Sequence, residues 1–248
     1  MNIIAIIEAR MGSSRLPGKT LSDIFGKTLL ERVIDRVRLS ERVSKLVVAT
    51  SVDRSDDAIE EACRLMGVAC YRGSQDDVLG RVYEAAVQYN GDIILQCGAD
   101  NPFYDPKIID NLIDTLMIGG YAYAANDMVL SFPEGIDAHV IRFDALKASA
   151  EEALLPSERE DTPRFIWNHP DRFPIYNLIA APESKYNRPE IRLTVDYKED
   201  IELARSIYSS LPHGAAFSTD ELIALLDKNP AWLAINEHCE QLSAYYKP

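Results

Sequence analysis

The chain has 248 residues, of which 47% are hydrophobic, and a formal net charge of −13 at pH 7. This length suits one large α/β domain with a full core, or such a domain with a small appendage. The acidity argues against a nucleic-acid-binding protein, because a phosphate backbone requires a basic surface.

Apolar runs and helical patterns alternate along the chain. Strands are predicted at 3–7, 46–50, 68–71, 93–96, 121–125, 137–141, 174–179 and 191–195. Helices are predicted at 29–39, 56–66, 77–89, 106–117, 143–153, 158–167, 198–210 and 218–226. The alternation predicts an α/β fold in which helices cover both faces of a mostly parallel sheet.

Composition also predicts how the chain is divided. Residues 126–187 are irregular and rich in proline but keep apolar residues, which predicts an insertion within a main domain at 1–211. Residues 212–248 are predicted to be a helical C-terminal appendage.

The sequence shows no pattern of secretion or membrane insertion. No apolar stretch reaches the length of a membrane span, and no signal-peptide pattern opens the chain. The four cysteines lack Cys-x-x-Cys spacing, and Cys63, Cys70 and Cys97 fall on apolar positions. This predicts reduced thiols and argues against a structural zinc site. We therefore expect a cytoplasmic protein without a membrane partner.

The loop after the first predicted strand is rich in groups that bind phosphate. Residues 9–19 hold the cations Arg10, Arg15 and Lys19 together with two glycines and two serines. In open α/β sheets, ligands bind at the carboxyl ends of the strands, where this loop begins. Backbone amides beside Arg and Lys suit a polyphosphate.

This loop differs from two common phosphate-binding loops. It lacks the Gly-x-Gly-x-x-Gly spacing of dinucleotide-binding sites. Gly18-Lys19-Thr20 matches the end of a P-loop, but Ser13 stands where the first P-loop glycine belongs. The P-loop lysine also begins a helix, and residues 21–26 are too short and broken to form one. The P-loop is therefore excluded.

Two aspartates follow later predicted strands. Asp100 comes after the strand at 93–96, and Asp196 comes after the strand at 191–195. Carboxylates beside a polyphosphate suit Mg²⁺, which takes one or two carboxylates together with phosphate oxygens and water. The alternatives are a turn-forming role for Asp100 and an N-cap role for Asp196. Asp200 is predicted to be a solvated acid on a helix face.

Together these segments resemble the cytidylyltransferase family that activates acidic sugars, which includes CMP-sialic acid and CMP-Kdo synthetases. The matching motifs are Ala9-Arg10-x-x-Ser13-x-Arg15-Leu16-Pro17-Gly18-Lys19, Asp100-Asn101-Pro102 and Val195-Asp196-x-x-Glu199-Asp200. The stretch Arg72-Gly73-Ser74-Gln75-Asp76-Asp77-Val78-Leu79-Gly80-Arg81 is similar, more narrowly, to the branch of spore-coat polysaccharide biosynthesis protein F. The resemblance runs from residue 1 to about residue 211.

The resemblance implies a three-layer Rossmann-like nucleotidyltransferase fold with a small irregular insertion. It assigns CTP binding to Ala9, Arg10, Gly12, Ser13, Arg15, Lys19, Arg72, Ser74, Asp77 and Gln96. In this assignment Arg15 and Lys19 contact the triphosphate, whereas Arg72, Ser74 and Asp77 lie near the base or ribose. Asp100 and Asp196 would bind Mg²⁺ and, with Arg15 and Lys19, would form the catalytic set.

The implied reaction is in-line attack of an acceptor oxygen on the α-phosphorus of CTP, with loss of pyrophosphate. The implied acceptor is an acidic sugar or a related surface-polysaccharide precursor, and the implied assembly is a homodimer. Two alternatives stay open: a nucleotidyltransferase that joins another NTP to a sugar 1-phosphate, and a catalytically silent nucleotide-binding relative.

The acceptor is predicted to meet the irregular segment 126–175. An acidic acceptor calls for an arginine clamp. The polar candidates in the segment are Asn126, Asp137, His139, Arg159, Arg164, His169 and Arg172. For each of them a surface charge or a capped loop is the alternative.

Overall fold

The computed structural model describes residues 1–211, 214 and 216–240. The strands among them are β1 Ile3–Glu8, β2 Lys45–Ser51, β3 Ala69–Gly73, β4 Ile93–Gly98, β5 Tyr123–Ala125, β6 His139–Arg142 and β7 Ile175–Asn177. The helices are α1 Leu29–Val37, α2 Asp57–Met66, α3 Val78–Gln88, α4 Pro106–Gly119, α5 Phe143–Glu152, α6 Pro156–Glu160, α7 Arg164–Asn168, α8 Lys198–Ser210 and α9 Thr219–Lys228. Short 3-10 helices cover Lys19–Leu21, Arg54–Asp56 and Pro230–Ile235.

The seven strands form one sheet in the order β3-β2-β1-β4-β6-β5-β7. The neighbours from β3 to β4 are parallel, β6 runs antiparallel to both β4 and β5, and β7 is parallel to β5. The register pairs Gln96 on β4 with His139 on β6. The prediction of a mostly parallel sheet is confirmed. The loops that follow β1 and β4 lie side by side at the carboxyl edge of this sheet.

Side chains alternate across the sheet and build a core on each face. Ile6 packs in one core with Leu79 of α3, whereas its neighbour Ile7 packs in the other core with Leu30 of α1 and Ile113 of α4. This period of two is what a strand buried on both faces requires. The arrangement of helices, sheet and helices confirms the predicted three-layer α/β fold.

The predicted strand at 191–195 is wrong. It makes one isolated bridge, between Glu134 and Arg192, and then leaves the neighbouring segment. The Val195 N–H donates instead to the backbone oxygen of Asp100 at 2.8 Å. Among the described residues the segment therefore lacks a partner for a longer ladder, although it is buried and alternates the apolar Ile191, Leu193 and Val195 with Arg192 and Thr194.

The single predicted helix at 158–167 is also wrong. The structure has two helices there, α6 and α7, and Pro163 stands directly before α7. Proline has no N–H to donate and disfavours helical geometry in the residue before it, so the segment breaks at Thr162.

The C-terminal part packs against the rest of the fold. Leu222 of α9 shares an apolar cluster with Ile207 of α8 and with Val195. The boundary at 211/212 stays a prediction, because residues 212, 213, 215 and 241–248 lie outside the described part of the chain. Among the described residues, no helix combines the length and the apolar character that crossing a membrane requires.

Candidate active site

The loop that follows β1 is folded back on itself and tied to the end of β2. The Gly18 N–H donates to the backbone oxygen of Met11 at 2.9 Å, and Gly18 has a φ of 77°, which glycine adopts without strain. The Met11 N–H donates to Asp56 Oδ1 at 2.7 Å, while Asp56 Oδ2 accepts from the Ser51 hydroxyl at 2.5 Å. Burial raises the pKa of Asp56, but these hydrogen bonds outweigh it and lower the pKa overall. Asp56 is therefore an ionised anchor for the loop.

Lys19, at the end of this loop, joins the two predicted metal-binding aspartates. Its ammonium lies 2.9 Å from Asp100 Oδ2, 2.8 Å from Asp196 Oδ1 and 2.8 Å from the backbone oxygen of Val195. Burial lowers the pKa of Lys19, but the two carboxylates outweigh it and raise the pKa above its ordinary value. Lys19 is thus a fixed positive charge at neutral pH.

Asp196 is surrounded by three cations. Arg15 Nη2 lies 2.6 Å from its Oδ1, which Lys19 also contacts, and Arg192 Nη2 lies 2.9 Å from its Oδ2. Burial raises the pKa of Asp196, but Lys19, Arg192 and Arg15 outweigh it and lower the pKa below its ordinary value. A nearly buried carboxylate is therefore kept ionised beside the loop.

Asp200 is buried, at 2% exposure, so the prediction of a solvated acid is wrong. Its Oδ2 accepts from the backbone N–H groups of Asp196 and Tyr197 at 2.8 and 2.9 Å, at the start of α8. The N-cap residue of α8 is Tyr197, so the N-cap alternative for Asp196 is also wrong. Asp200 satisfies the backbone and leaves the Asp196 side chain to the cations.

Of these groups, Arg15, Lys19 and Asp100 border a cavity of about 230 Å³, whereas Asp196 is not in its lining. Its lining residues are Glu8, Ala9, Arg10, Ser13, Ser14, Arg15, Lys19, Thr20, Val78, Arg81, Gly98, Ala99, Asp100 and Glu160. The Asp100 side chain is 34% exposed, whereas that of Asp196 is 8% exposed. The cavity therefore presents cations from one loop and a carboxylate from the neighbouring strand end.

Glu8 and Arg81 are lining residues that the sequence analysis missed. Glu8, the last residue of β1, accepts from Gln96 Nε2 and from the Thr162 hydroxyl, both at 2.9 Å. Burial raises the pKa of Glu8, and nearby Arg81 opposes this only in part. Arg81 Nη1 donates to the Ser74 backbone oxygen at 2.5 Å. The sequence offered one indication for Glu8, because this residue is a charged group at the end of a buried strand.

Arg81 also borders a second, smaller cavity of about 120 Å³. Arg10 is shared by both cavities as well. The smaller cavity is lined by Arg10, Gly12, Ser51, Asp53, Ser55, Asp56, Gln75 and Arg81. Among the described residues, Arg81 Nε is buried without a hydrogen-bond partner, and such a donor is costly unless something binds it.

The three residues assigned to the base or ribose lie outside the lining of both cavities. Arg72 donates to the backbone oxygen of Ser51 at 2.9 Å and contacts Asp57 Oδ1 at 2.6 Å. Asp77 caps α3 by accepting from the Gly80 N–H at 2.8 Å, and the Ser74 hydroxyl accepts from the Asp77 N–H at 3.1 Å. These contacts fix the segment between β3 and α3.

The arginines predicted to meet the acceptor are engaged in ion pairs. Arg159 pairs with Asp77, and Arg164 Nε lies 3.2 Å from Asp161 Oδ2. The third pair holds Arg172 Nη2 2.7 Å from Glu152 Oε1. None of the three arginines is in the lining of the larger cavity.

The other acceptor candidates lie mainly in a buried polar group beside β4. His139 Nε2 is 3.0 Å from Asp127 Oδ2, and Asn126 Oδ1 accepts from the Ala138 N–H at 2.8 Å. Burial lowers the pKa of His139, but Asp127 and then Asp137 outweigh it and raise the pKa. Burial and the charge of Asp127 raise the pKa of Asp137 to about 8. His169 lies apart from this group, with Nδ1 2.8 Å from the Phe165 oxygen.

The donor chemistry of Asp100 and Asp196 fits Mg²⁺. Both residues offer carboxylate oxygens, and both lie within 2.9 Å of the Lys19 ammonium, so a metal ion bound by both would replace that ammonium. Asp196 is held by Arg15 and Lys19, and both of these cations also line the cavity.

Sequence comparisons extend over nearly the whole chain. A sequence model of the family described as Cytidylyltransferase matches residues 4–247. The spore coat polysaccharide biosynthesis protein SpsF of Bacillus subtilis is 36% identical over 234 residues, covering 92% of this chain and 95% of that protein. A 3-deoxy-manno-octulosonate cytidylyltransferase of Geobacter sulfurreducens is 40% identical over 118 residues, covering 47% of this chain and 46% of that enzyme.

A solved structure agrees with the sequence comparison. A cytidylyltransferase from Leptospira borgpetersenii superposes with a TM-score of 0.88 at 29% sequence identity, covering 98% of this chain and 99% of that chain. The likeness therefore includes both the sheet and the C-terminal part.

Proposed function

The chain belongs to the cytidylyltransferase family and is a nucleotidyltransferase, and from that premise we propose that it transfers CMP from CTP to an acidic sugar or a related surface-polysaccharide precursor. Mg²⁺ is the proposed cofactor, and pyrophosphate is the second product. One observation carries the proposal: Lys19 links Asp100 to Asp196 on a cavity that Arg10 and Arg15 also border.

The proposed chemistry follows from charge. In-line attack on the α-phosphorus builds negative charge on the leaving pyrophosphate, so cations aimed at that group lower the barrier. Arg15 and Lys19 would turn from Asp196 towards phosphate oxygens when the nucleotide enters. Mg²⁺ held by Asp100 and Asp196 would neutralise phosphate charge and orient the phosphates for attack.

The two cavities support binding of the triphosphate and the base at separate places. The triphosphate would occupy the larger cavity beside Arg15 and Lys19, and the base would enter the smaller cavity, which offers Ser51 and Gln75 for hydrogen bonds. Arg81 borders both and has a buried Nε to donate to the nucleotide. In this arrangement Arg72 acts through the backbone of β2 and does not touch the base.

The acceptor would approach from the side of α6, where Glu160 borders the larger cavity. Arg159 is the neighbouring residue, and the exchange of its Asp77 partner for a substrate carboxylate would create the arginine contact that an acidic acceptor calls for. This makes Arg159 the first arginine to test in acceptor binding.

The proposed assembly is a homodimer in the cytoplasm. Val129, Leu130 and Ile179 are more than half exposed near the edge strand β7, and such an apolar patch suits a subunit contact. The four cysteines are free thiols, which suits a reducing compartment. Light scattering at several concentrations measures the assembly.

The experiment is product identification by mass spectrometry. The enzyme is mixed with Mg²⁺, each of CTP, UTP, GTP and ATP, and a panel of ulosonic acids and sugar 1-phosphates. We expect a CMP-sugar from CTP and an ulosonic acid. A product from another NTP and a sugar 1-phosphate would instead establish a different nucleotidyltransferase, and tight CTP binding without any product would indicate a silent relative.

A further inference from the structure

We propose that Glu199, His238 and Cys239 bind a transition-metal ion, and that the chemistry of these donors selects Zn²⁺. One ligand atom from each residue lies within 4.8 Å of the other two. None of the three residues lines the cavity assigned to the nucleotide. The three donors also differ from Asp100 and Asp196, the residues proposed to bind Mg²⁺.

The fold brings these residues together from distant parts of the sequence. Glu199 is in the first turn of α8, and the 3-10 helix Pro230–Ile235 that contacts α8 leads into His238 and Cys239. The sequence lacks the Cys-x-x-Cys pairs that are typical of structural zinc sites. Here a single cysteine joins a histidine and a carboxylate through tertiary packing.

A buried amide holds the turn in place. Asn236 Nδ2 donates to the backbone oxygen of Arg192 at 3.1 Å and to Asp200 Oδ1 at 2.8 Å. The Cys239 N–H then donates to the Asn236 backbone oxygen at 2.9 Å. The two ligands of the turn are therefore positioned by the residue that anchors it to α8.

The donor set distinguishes zinc from magnesium. Thiolate, imidazole and carboxylate together suit Zn²⁺, whereas Mg²⁺ prefers oxygen ligands alone. His238 Nε2 lies 3.9 Å from Glu199 Oε1, too far for a hydrogen bond. Two ligands of one tetrahedral zinc ion are about 3.4 Å apart for bonds of about 2.1 Å, so a small closure meets the requirement. Water would take the fourth position.

One cation competes for the carboxylate. Lys198 Nζ lies 3.9 Å from the same Glu199 Oε1, but its side chain is 79% exposed. Exposed pairs of this kind contribute little, so an arriving metal ion displaces the lysine at small cost.

A metal ion here would join the turn to the start of α8. Asp200, which follows Glu199, holds the backbone N–H of Asp196. The ion therefore stabilises the segment that positions a proposed catalytic carboxylate, without touching substrate. Its role is structural.

Cobalt titration of the full chain tests the site, because Co²⁺ replaces Zn²⁺ and reports a thiolate ligand by a charge-transfer band. Excess Mg²⁺ is present throughout to occupy sites made only of oxygen. We expect one Co²⁺ per chain, its displacement by Zn²⁺, and a rise in melting temperature on metal binding. Cys239→Ser should lose the band, and His238→Gln and Glu199→Gln should each weaken binding at least about tenfold.

Cys70→Ser is the matched thiol control and should keep the parent's band and affinity. A parent without the band, a band that survives in Cys239→Ser, or one lost in Cys70→Ser would overturn the proposal. Equal affinity in the parent and in His238→Gln would overturn it as well. Circular dichroism identical to the parent's shows that each variant is folded, and the readout does not depend on enzymatic activity.

Discussion

At the scale of single residues, Lys19 is the most informative side chain. It is a partly buried ammonium with two carboxylates within 2.9 Å, and it closes the loop that follows β1. Without substrate it pairs with Asp100 and Asp196. In the proposed reaction it would contact the phosphates of CTP. Together with Arg15 and Arg192, which also contact Asp196, it explains why two like charges can lie close together before a nucleotide arrives.

Lys19→Met should reduce kcat for CMP transfer by about 10²–10³, because it removes a charge that stabilises the leaving group. The measurement is the initial rate of pyrophosphate release at saturating CTP. Lys147→Met, at a half-exposed lysine on α5, is the control and should match the parent. A Lys19→Met enzyme with the parent's kcat would show that this ammonium has no part in the chemistry.

The raised pKa of Glu134 predicts how the stability of the fold depends on pH. Burial raises its pKa from 4.5 to about 7, and Arg192 opposes this only in part. The folded state therefore keeps a proton that the unfolded state loses, so stability falls as pH rises from about 4.5 to 7. Glu134→Gln should remove up to about 3 kcal/mol of that fall.

The measurement is urea denaturation of both proteins at pH 5 and pH 8. Between pH 5 and pH 8 the free energy of unfolding should fall less in Glu134→Gln than in the parent. Glu151→Gln, an exposed carboxyl on α5, should follow the parent. Parallel curves for the parent and Glu134→Gln would contradict the assigned pKa.

Residue patterns predicted one part of the site and missed another. The loop cations and Asp100 follow predicted strands, so parallel-sheet topology was sufficient to bring them together. Asp200 was assigned to solvent because spacing alone does not reveal tertiary partners, here Arg192 and two backbone N–H groups. Burial of a charge depends on such partners, and they become visible only in the folded chain.

At the scale of elements, the sequence predicted most helices and strands but mispredicted the segments 158–167 and 191–195. Strands such as β1 and β4 begin with continuous apolar runs and have neighbours on both sides. The segment 191–195 is also buried and has apolar residues at every second position, yet its backbone bonds to the loops after β4 and before β6. Strand pairing is a property of neighbours, so an apolar run alone overpredicted it.

A substitution at the start of α3 tests whether this helix supports the proposed nucleotide site. Asp77 caps this helix and pairs with Arg159 of α6. Asp77→Ala should lower the free energy of unfolding by about 1 kcal/mol and also raise KM for CTP, since the segment near the smaller cavity loosens.

Ser218→Ala is the matched control, because Ser218 caps α9 in the same way. It should cost a similar free energy of unfolding but leave KM unchanged. Chemical denaturation and CTP titrations of the initial rate measure the two quantities. An unchanged KM in Asp77→Ala would separate this helix start from nucleotide binding.

At the scale of the whole molecule, charge and topology act together. The chain has a net charge of −13, yet Arg10, Arg15 and Lys19 border one cavity at the carboxyl edge of the sheet. A cluster of cations within an acidic molecule would suit a polyphosphate without favouring nucleic acid in general. The parallel strands form this edge, and the chain belongs to the cytidylyltransferase family.

The most direct test is the rate of pyrophosphate release from CTP, with Mg²⁺ and the acceptor found by mass spectrometry, for the parent and for Asp100→Asn. Asp144→Asn, at an exposed carboxyl on α5, is the control. We predict a loss of about 10²–10³ in Asp100→Asn and the parent's rate in the control. An Asp100→Asn enzyme as fast as the parent would contradict the assignment of the reaction to this cavity.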